Sequence, residues 1–308
     1  MRLTIHQNRR LAFTLIELLI VLAIIVVLVS LAGVSYFFAA GRQYEKNTRA
    51  TIEYVSGVLK KQWDHVIAEA KKESIDDNVR KLASPDPTGE RAKVLWIKLR
   101  LAEAFPASFA EIQNPSAYIP ANRRKYMPSY RSKWQAAGSP TGGNLQVDSS
   151  ACLFLALSTA KGGHALNPDQ LPIKAQDSNN DGLLEFCDAW GQRIAFFRFP
   201  YNNARLTSVA PPGPLDPLDQ LNKLQQTVVQ WPDRTNAEDA LRCEFGVGYT
   251  TPVIVSAGAD NLMGLEFKNA TRGFPDMAIL PLLAGGDLDN NNVFDAKDNL
   301  YSFDIVAP

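Results

Sequence analysis

Residues 12 to 25 read AFTLIELLIVLAII, and they place one carboxylate, Glu17, near the start of an otherwise unbroken apolar run. A carboxylate in a hydrocarbon environment costs several kcal/mol unless it is neutralised or paired. The stretch predicts an apolar helix, and the pairing of Glu17 becomes the main question about its role.

The whole chain has the composition of a folded protein without a charge bias. It has 308 residues, of which 46% are hydrophobic, enough for one large domain or two small ones. Lys and Arg total 32, and so do Asp and Glu. This balance removes any global electrostatic argument for nucleic acid or an anionic surface as the main partner.

The apolar run extends over residues 13–40, where Glu17 is the only charged residue. A helix of this length spans about 42 Å, more than the hydrocarbon core of about 30 Å. Three arginines and no acidic residue lie in the first ten positions, which predicts a cytoplasmic N-terminus and residues 41–308 outside. A cleaved secretory signal ending near SLAG (30–33) and a plain membrane anchor are alternatives, but neither gives Glu17 a partner.

The stretch RRLAFTLIELLIVLAIIVVLVSLAG, residues 9–33, resembles the N-terminus of type IV pilins and type II secretion pseudopilins. The resemblance implies that a prepilin peptidase cuts between Ala12 and Phe13 and methylates the new amine. Glu17 would then be the fifth mature residue, and its carboxylate would pair with the N-terminal amine of a neighbouring subunit. The family usually has Gly before the cut; Ala12 departs from this but is also small, so processing is expected.

The resemblance also implies partners and a location. The chain would be a single-pass protein of the inner membrane with its head in the periplasm, and it would polymerise with copies of itself or with other pilin-like subunits on an inner-membrane assembly platform. The alternative from another class is a single-pass anchored protein with a calcium-binding interaction domain that does not polymerise.

The fold class expected is α+β, with a long N-terminal helix packed on an antiparallel sheet in a pilin-like head. Four short strand-like runs, without regular crossover helices between them, favour the antiparallel sheet: 193–199, 251–258, 277–283 and 300–306. The predicted segments are a leader peptide (1–12), a transmembrane assembly helix (13–40), its amphipathic continuation (41–83), a helix with a Pro/Gly-rich insert (84–148) and the α+β head (149–308).

Inside these segments, two more helices and one irregular stretch are expected. The apolar pattern predicts an amphipathic helix over 90–105 and a short buried helix over 149–163. Residues 106–143 are rich in Pro, Ser, Asn and Gly, and this composition predicts a surface excursion or a loosely packed insert.

Three stretches of the head resemble the major pseudopilins. DAWGQRIAFF (188–197) is similar to their Asp-x-Trp-Gly turn. SAGADNLMG (256–264) and GGDLDNNN (285–292) are similar to their C-terminal loops rich in glycine and aspartate. These likenesses favour a pseudopilin over a disulfide-looped pilin.

Two segments have the spacing of a calcium loop, DSNNDGLLEFCD (177–188) and DLDNNNVFDAKD (287–298). Alternate oxygens wrap a hard cation, and position 7 offers a backbone carbonyl. The candidate ligands, for one or two Ca²⁺ ions, are Asp177, Asn179, Asp181, Leu183, Glu185 and Asp188, and then Asp287, Asp289, Asn291, Val293, Asp295 and Asp298. Leu184 or Phe294, at position 8, is expected to anchor each loop in the core. The alternative is that both loops are ordinary acidic turns.

Other chemistry receives little support. The three cysteines form no CxxC pair, and at most one disulfide could form among them with one thiol left over. Small buried hydrophobic residues are the preferred interpretation. No HExxH, GxSxG or phosphate-loop motif occurs, so an enzyme is not expected. NRRKYMPSYRSKW (122–134) mixes basic and aromatic residues, a composition that could bind single-stranded nucleic acid. A solvated loop with packed aromatic rings is the preferred interpretation.

Overall fold

The computed structural model describes residues 15–200, 216–220, 224, 249–263, 265 and 298–305. The chain divides into two compact units, Met1–Tyr44 and Glu45–Pro308. The predicted leader and cleavage site, the predicted strand 277–283, most of the second calcium loop and Cys243 lie outside the described residues.

In the first unit, every described residue belongs to helix α1, which runs over Leu15–Lys72. The large apolar side chains from Leu15 to Leu31 are 48–82% exposed. Among the described residues, no helix meets the criteria of length and apolarity for a membrane span. The transmembrane half of the predicted helix therefore stays a prediction.

In the second unit, α1 supplies one wall of the main hydrophobic core. Its buried side chains recur every three or four residues, so they share one face of the helix; they are Ile52, Val55, Leu59, Trp63, Val66 and Ala70. This pattern confirms the amphipathic half of the predicted helix. The helix ends at Lys72, and the predicted range 41–83 also contains a separate short helix, α2, Asp77–Leu82.

The remaining described helices surround this core. They are α3 (Glu90–Ala104), α4 (Phe109–Gln113), α5 (Met127–Ala136), α6 (Leu145–Leu157) and α7 (Ser302–Ile305), with short 3-10 helices at Ala121–Arg123 and Pro168–Gln170. Helix α3 confirms the helix predicted over 90–105 but not its amphipathic character, because residues 94–101 are buried without interruption. Helix α6 begins four residues before the predicted start, because Asn144 caps it by accepting hydrogen bonds from the N–H groups of Gln146 and Val147.

The segment 106–143 is ordered by its own hydrophobic core, so the prediction of a loosely packed insert was wrong. Phe109, Ile112, Met127, Tyr130 and Trp134 are buried together against α6. Two basic residues of this segment face acidic ones: Lys125 Nζ lies 2.5 Å from Glu73 Oε1, and Arg123 lies 3.7 Å from Asp76. The aromatic side chains Tyr130 and Trp134 pack inward, as interpreted from the sequence. The interpretation of 122–134 as a loop was wrong, because residues from Met127 onward form helix α5.

The described sheet has three antiparallel strands in the order β1-β2-β3. They are β1 (Ala195–Phe197), β2 (Val253–Ser256) and β3 (Leu300–Tyr301). Ala195 pairs with Val255, and Val255 pairs with Tyr301. The antiparallel arrangement is as predicted, but the predicted strand 300–306 was too long, since the chain turns into helix α7 directly after Tyr301.

Helix α3 carries charged side chains into the interior. Arg100 is 1% exposed; its guanidinium lies 2.9 Å from Glu73 Oε1 and 2.5 Å from Glu103 Oε2, and it also donates to the Arg123 carbonyl. Lys98 Nζ lies 2.6 Å from Asp216 Oδ2. Buried charges of this kind are tolerated only when they are paired and hydrogen-bonded.

Gln62 and Lys161 form a second buried polar group, between α1 and the end of α6. Gln62 Nε2 lies 2.8–3.3 Å from three carbonyl oxygens, those of Leu157, Thr159 and His164. Lys161 Nζ donates to Gln62 Oε1 at 3.1 Å and to the Ala156 carbonyl at 2.6 Å. Two of these carbonyls also accept backbone hydrogen bonds, Leu157 from Leu166 N at 2.9 Å and His164 from Lys161 N at 3.0 Å. The glutamine amide thus ties α1 to the last residue of α6 and to the turn that follows it.

Candidate metal centre

The first acidic loop is closed at its base by the backbone. Gln176 N donates to the Glu185 carbonyl at 3.0 Å, and Glu185 N donates to the Gln176 carbonyl at 2.8 Å. The loop packs against the end of α5, since a Cβ atom at Gly182 would lie 3.3 Å from the Ala137 Cβ. Gly182 also has a φ of +85°, which favours glycine. Position 6 of the loop therefore makes the sharp turn that the spacing predicts.

Backbone N–H groups hold the loop carboxylates in place. Asp177 accepts hydrogen bonds from Asp181 N at 3.0 Å and from Gly182 N at 2.9 Å. Asp181 accepts one from Leu183 N at 2.9 Å and one from the Asn179 amide at 2.8 Å. The loop is thus wound around its own acidic side chains, and hydrogen bonds within the loop orient the carboxylates of Asp177 and Asp181.

Three predicted ligands converge. One oxygen each from Asp177, Asp181 and Glu185 lie within 4.8 Å of one another. Calcium binds oxygen at about 2.3–2.6 Å, so oxygens on opposite sides of one ion are about 5 Å apart. The three carboxylates therefore fit around a single ion of this size.

Glu185 is the innermost of the three. It is 0% exposed, and its Oε2 atom accepts from Ser178 N at 2.9 Å and Ser178 Oγ at 2.6 Å. Its Oε1 atom is buried and has no hydrogen-bond partner in the described part of the chain. Burial raises the pKa of Glu185; the Ser178 hydrogen bonds lower it, and the charges of Asp181 and Asp177 raise it.

Asp188, predicted at position 12, lies outside this group of three. Its Oδ1 atom accepts from Trp190 N at 3.0 Å and Gln192 N at 2.8 Å, and its Oδ2 atom accepts from Ser256 Oγ at 2.7 Å. The carboxylate therefore builds the Asp-x-Trp-Gly turn and joins it to the end of strand β2.

The loop is anchored by a different side chain from the one expected. Leu183 is 4% exposed and belongs to the hydrophobic cluster of α4, α5 and α6, whereas Leu184 is 40% exposed. The anchor is therefore at position 7, and the prediction of Leu184 was wrong. Leu183 presents its side chain to the core, and its carbonyl remains the predicted ligand of that position.

Of the second loop, only Asp298 is described. Its Oδ2 atom accepts from Ala259 N at 2.7 Å and from Asp260 N at 3.1 Å. Gly258, at φ +79°, has no room for a side chain, because a Cβ atom there would lie 2.4 Å from the Asp298 carbonyl oxygen. Asp298 thus holds the Gly/Asp turn that follows β2, and the metal ligands predicted over 287–295 lie outside the described residues.

A fourth carboxylate near the loop was missed by sequence reasoning. Asp148, on the first turns of α6, is buried, and its Oδ2 lies 1.9 Å from where a Cβ atom at Gly142 would be. Burial raises the pKa of Asp148 to about 6; a Gly143 backbone bond lowers it, and the charge of Asp181 raises it. The only sequence signal was the glycine pair at 142–143 shortly before an acidic residue.

Glu17 lies in the first turn of α1 and is exposed. Ala12 and Phe13 precede the first described residue. Cys152 and Cys187 are buried free thiols, as interpreted from the sequence.

Comparison with known proteins gives a match at the N-terminus. Residues 7–33 match the prokaryotic N-terminal methylation motif. Searches of curated proteins and of solved structures find no match. The motif supports a type IV pilin-like, prepilin-type protein.

Proposed function

We propose that this protein is a structural subunit that polymerises into a type II secretion pseudopilus or a type IV pilus-like filament. The methylation motif over residues 7–33 carries the proposal. The protein would be held in the inner membrane by the 13–40 segment, processed by prepilin peptidase and passed to an assembly platform. Its head, in the periplasm, would be stabilised by calcium in the aspartate loops.

The first turns of α1 supply the physical argument for polymerisation. Their large apolar side chains are exposed along the helix, and Glu17 is the one charged residue among them. When helices of this kind pack against each other, their apolar side chains are removed from contact with solvent or lipid. A carboxylate within such a bundle requires an opposite charge, and the methylated amine of a neighbouring chain provides one.

A single-pass anchor that never polymerises remains the alternative function. Such an anchor requires apolar length alone, and it gains nothing from a carboxylate near the start of the span. The position of Glu17, as the fifth residue of the proposed mature chain, therefore favours the filament.

The mature chain is expected to begin at Phe13 with a methylated amine. The reason is that the resemblance to prepilins implies cleavage at the Ala12–Phe13 junction, which lies within the methylation motif over residues 7–33. The measurement is intact-mass spectrometry with N-terminal sequencing of the protein extracted from membranes. A chain that retains Met1, or that begins at Gly33, would contradict the proposed processing.

Changing Glu17 to Ala is expected to leave membrane insertion intact and to reduce assembly. The substitution makes the apolar run more hydrophobic while it deletes the proposed partner of the neighbouring amine. Co-purification of untagged with tagged subunits measures assembly. Glu53→Ala, at an exposed site of the same helix, is the matched control, and equal co-purification of both variants would remove the assembly role of Glu17.

A further inference from the structure

With calcium as the proposed stabiliser of the head, we propose that Asp177, Asp181 and Glu185 hold one calcium ion, and that Asp188 is a brace rather than a ligand. The loop spacing alone would assign all four carboxylates to the ion. The positions of the side chains divide them into a group of three and one that is engaged elsewhere.

A buried oxygen of Glu185 without a hydrogen-bond donor among the described residues points to a cation. A buried carboxylate oxygen without a hydrogen-bond donor loses its hydration and receives nothing in return, which costs on the order of 1–3 kcal/mol or more. Glu185 Oε1 is in this position, while its Oε2 is already engaged by Ser178. Arg193, the cation bonded to this loop, donates to Ser178 Oγ at 2.7 Å and not to the carboxylate. A metal ion would satisfy the free oxygen.

The donor set favours calcium over softer or smaller ions. The three grouped side chains offer only oxygen atoms, which suit a hard cation and not zinc or copper. Magnesium demands a near-ideal octahedron and gives up its water reluctantly. Calcium takes six to eight oxygens, and the Asn179 amide, the Leu183 carbonyl and water are the neutral candidates for the remaining positions.

The Asp188 carboxylate accepts three hydrogen bonds from other parts of the fold. It joins the turn at Trp190 and Gln192 to Ser256 at the end of β2, and Ser256 Oγ in turn accepts from Gly258 N at 3.2 Å. Moving this carboxylate to the ion would break all of these bonds. Asp188 therefore links the loop to the sheet, and its loss should affect folding stability without affecting the metal.

The test is calcium titration of the full chain in detergent, with calcium chloride as the probe and magnesium chloride as the control ion. Isothermal titration gives the number of ions and their Kd, and thermal melting gives the stabilisation. We expect Glu185→Gln to bind one ion fewer than the wild type. Asp177→Asn, at a less buried position than Glu185, tests the same site with less risk to folding and should raise its Kd, because the site loses one ligand charge.

Asp188→Asn separates the inference from the broader calcium proposal. It should melt at a lower temperature than the wild type in chelator and still bind the same number of ions with unchanged Kd. Loss of the ion from Asp188→Asn would overturn the division proposed here, while a calcium-stabilised head would stand. Equal ion counts in the wild type and in Glu185→Gln would also overturn it. A wild type that binds no calcium would remove both calcium proposals and leave the filament proposal untouched.

Discussion

Replacing Arg100 by methionine is expected to lower the free energy of unfolding by about 3–5 kcal/mol. The guanidinium pairs with Glu73 and Glu103 and donates to the Arg123 carbonyl, all inside the head. Methionine fills much of the volume but leaves the Glu103 carboxylate buried without this cation. Removing one member of a buried pair is costly because the remaining charge keeps its desolvation penalty.

Chemical denaturation of the full chain in detergent, followed by tryptophan fluorescence, measures this change. Lys93→Met is the matched control, since Lys93 lies on the same helix and pairs with Glu90 at 2.8 Å, where both side chains are about half exposed. An exposed pair contributes about 0–1 kcal/mol. A loss for Arg100→Met no larger than that of the control would show that the buried network adds little to stability.

Lys161 is expected to make the stability of the protein rise with pH between about 7 and 10.5. Burial lowers the pKa of Lys161 to about 7, the charge of Lys133 lowers it further, and the charge of Glu103 opposes the shift. Between these two pH values the unfolded chain binds the proton and the folded chain does not. The stability gain is therefore about 1.4 kcal/mol per pH unit. Below pH 7 both states carry the proton, and the contribution is constant.

Comparison of the wild type with Lys161→Met isolates this effect. From pH 7.5 to 9.5, the free energy of unfolding of the wild type should rise relative to the variant by about 2.7 kcal/mol. Lys60→Met, at an exposed site of α1, should show no such slope, because that side chain stays in water in both states. A flat difference between the wild type and Lys161→Met would mean that the buried amine keeps its proton across this range.

The helices of the main core could be predicted because their apolar periodicity is local. The face from Ile52 to Val66 and the body of α3 are visible in the chain itself. The segment 106–143 was misjudged for the opposite reason. Its composition is dominated by Pro, Ser and Asn residues. Its buried side chains, such as Phe109 and Trp134, lie on short helices and form a hydrophobic cluster only together with α6.

The candidate metal centre shows the same limit. The spacing of acidic residues in the loop identified the three converging carboxylates, because residues close together in one short loop are also close in space. It could not show that Asp188 turns away, since the partner that engages it, Ser256, is far along the sequence. Asp148 was missed because nothing in the sequence of α6 indicates that Asp181 lies near it.

Gln62 also limits how α1 can move within the head. A helix can slide along its axis by one turn, about 5.4 Å, when apolar contacts alone hold it, because similar side chains recur at that interval. Here such a slide would withdraw one amide from the Leu157, Thr159 and His164 carbonyls at once. The Leu157 and His164 carbonyls would keep their backbone donors, but the buried Gln62 amide would lose its acceptors, and a buried donor left unpaired costs on the order of 1–3 kcal/mol. Piston motion of α1 within the head is therefore opposed by the hydrogen bonds of Gln62 to the end of α6 and to the turn that follows it.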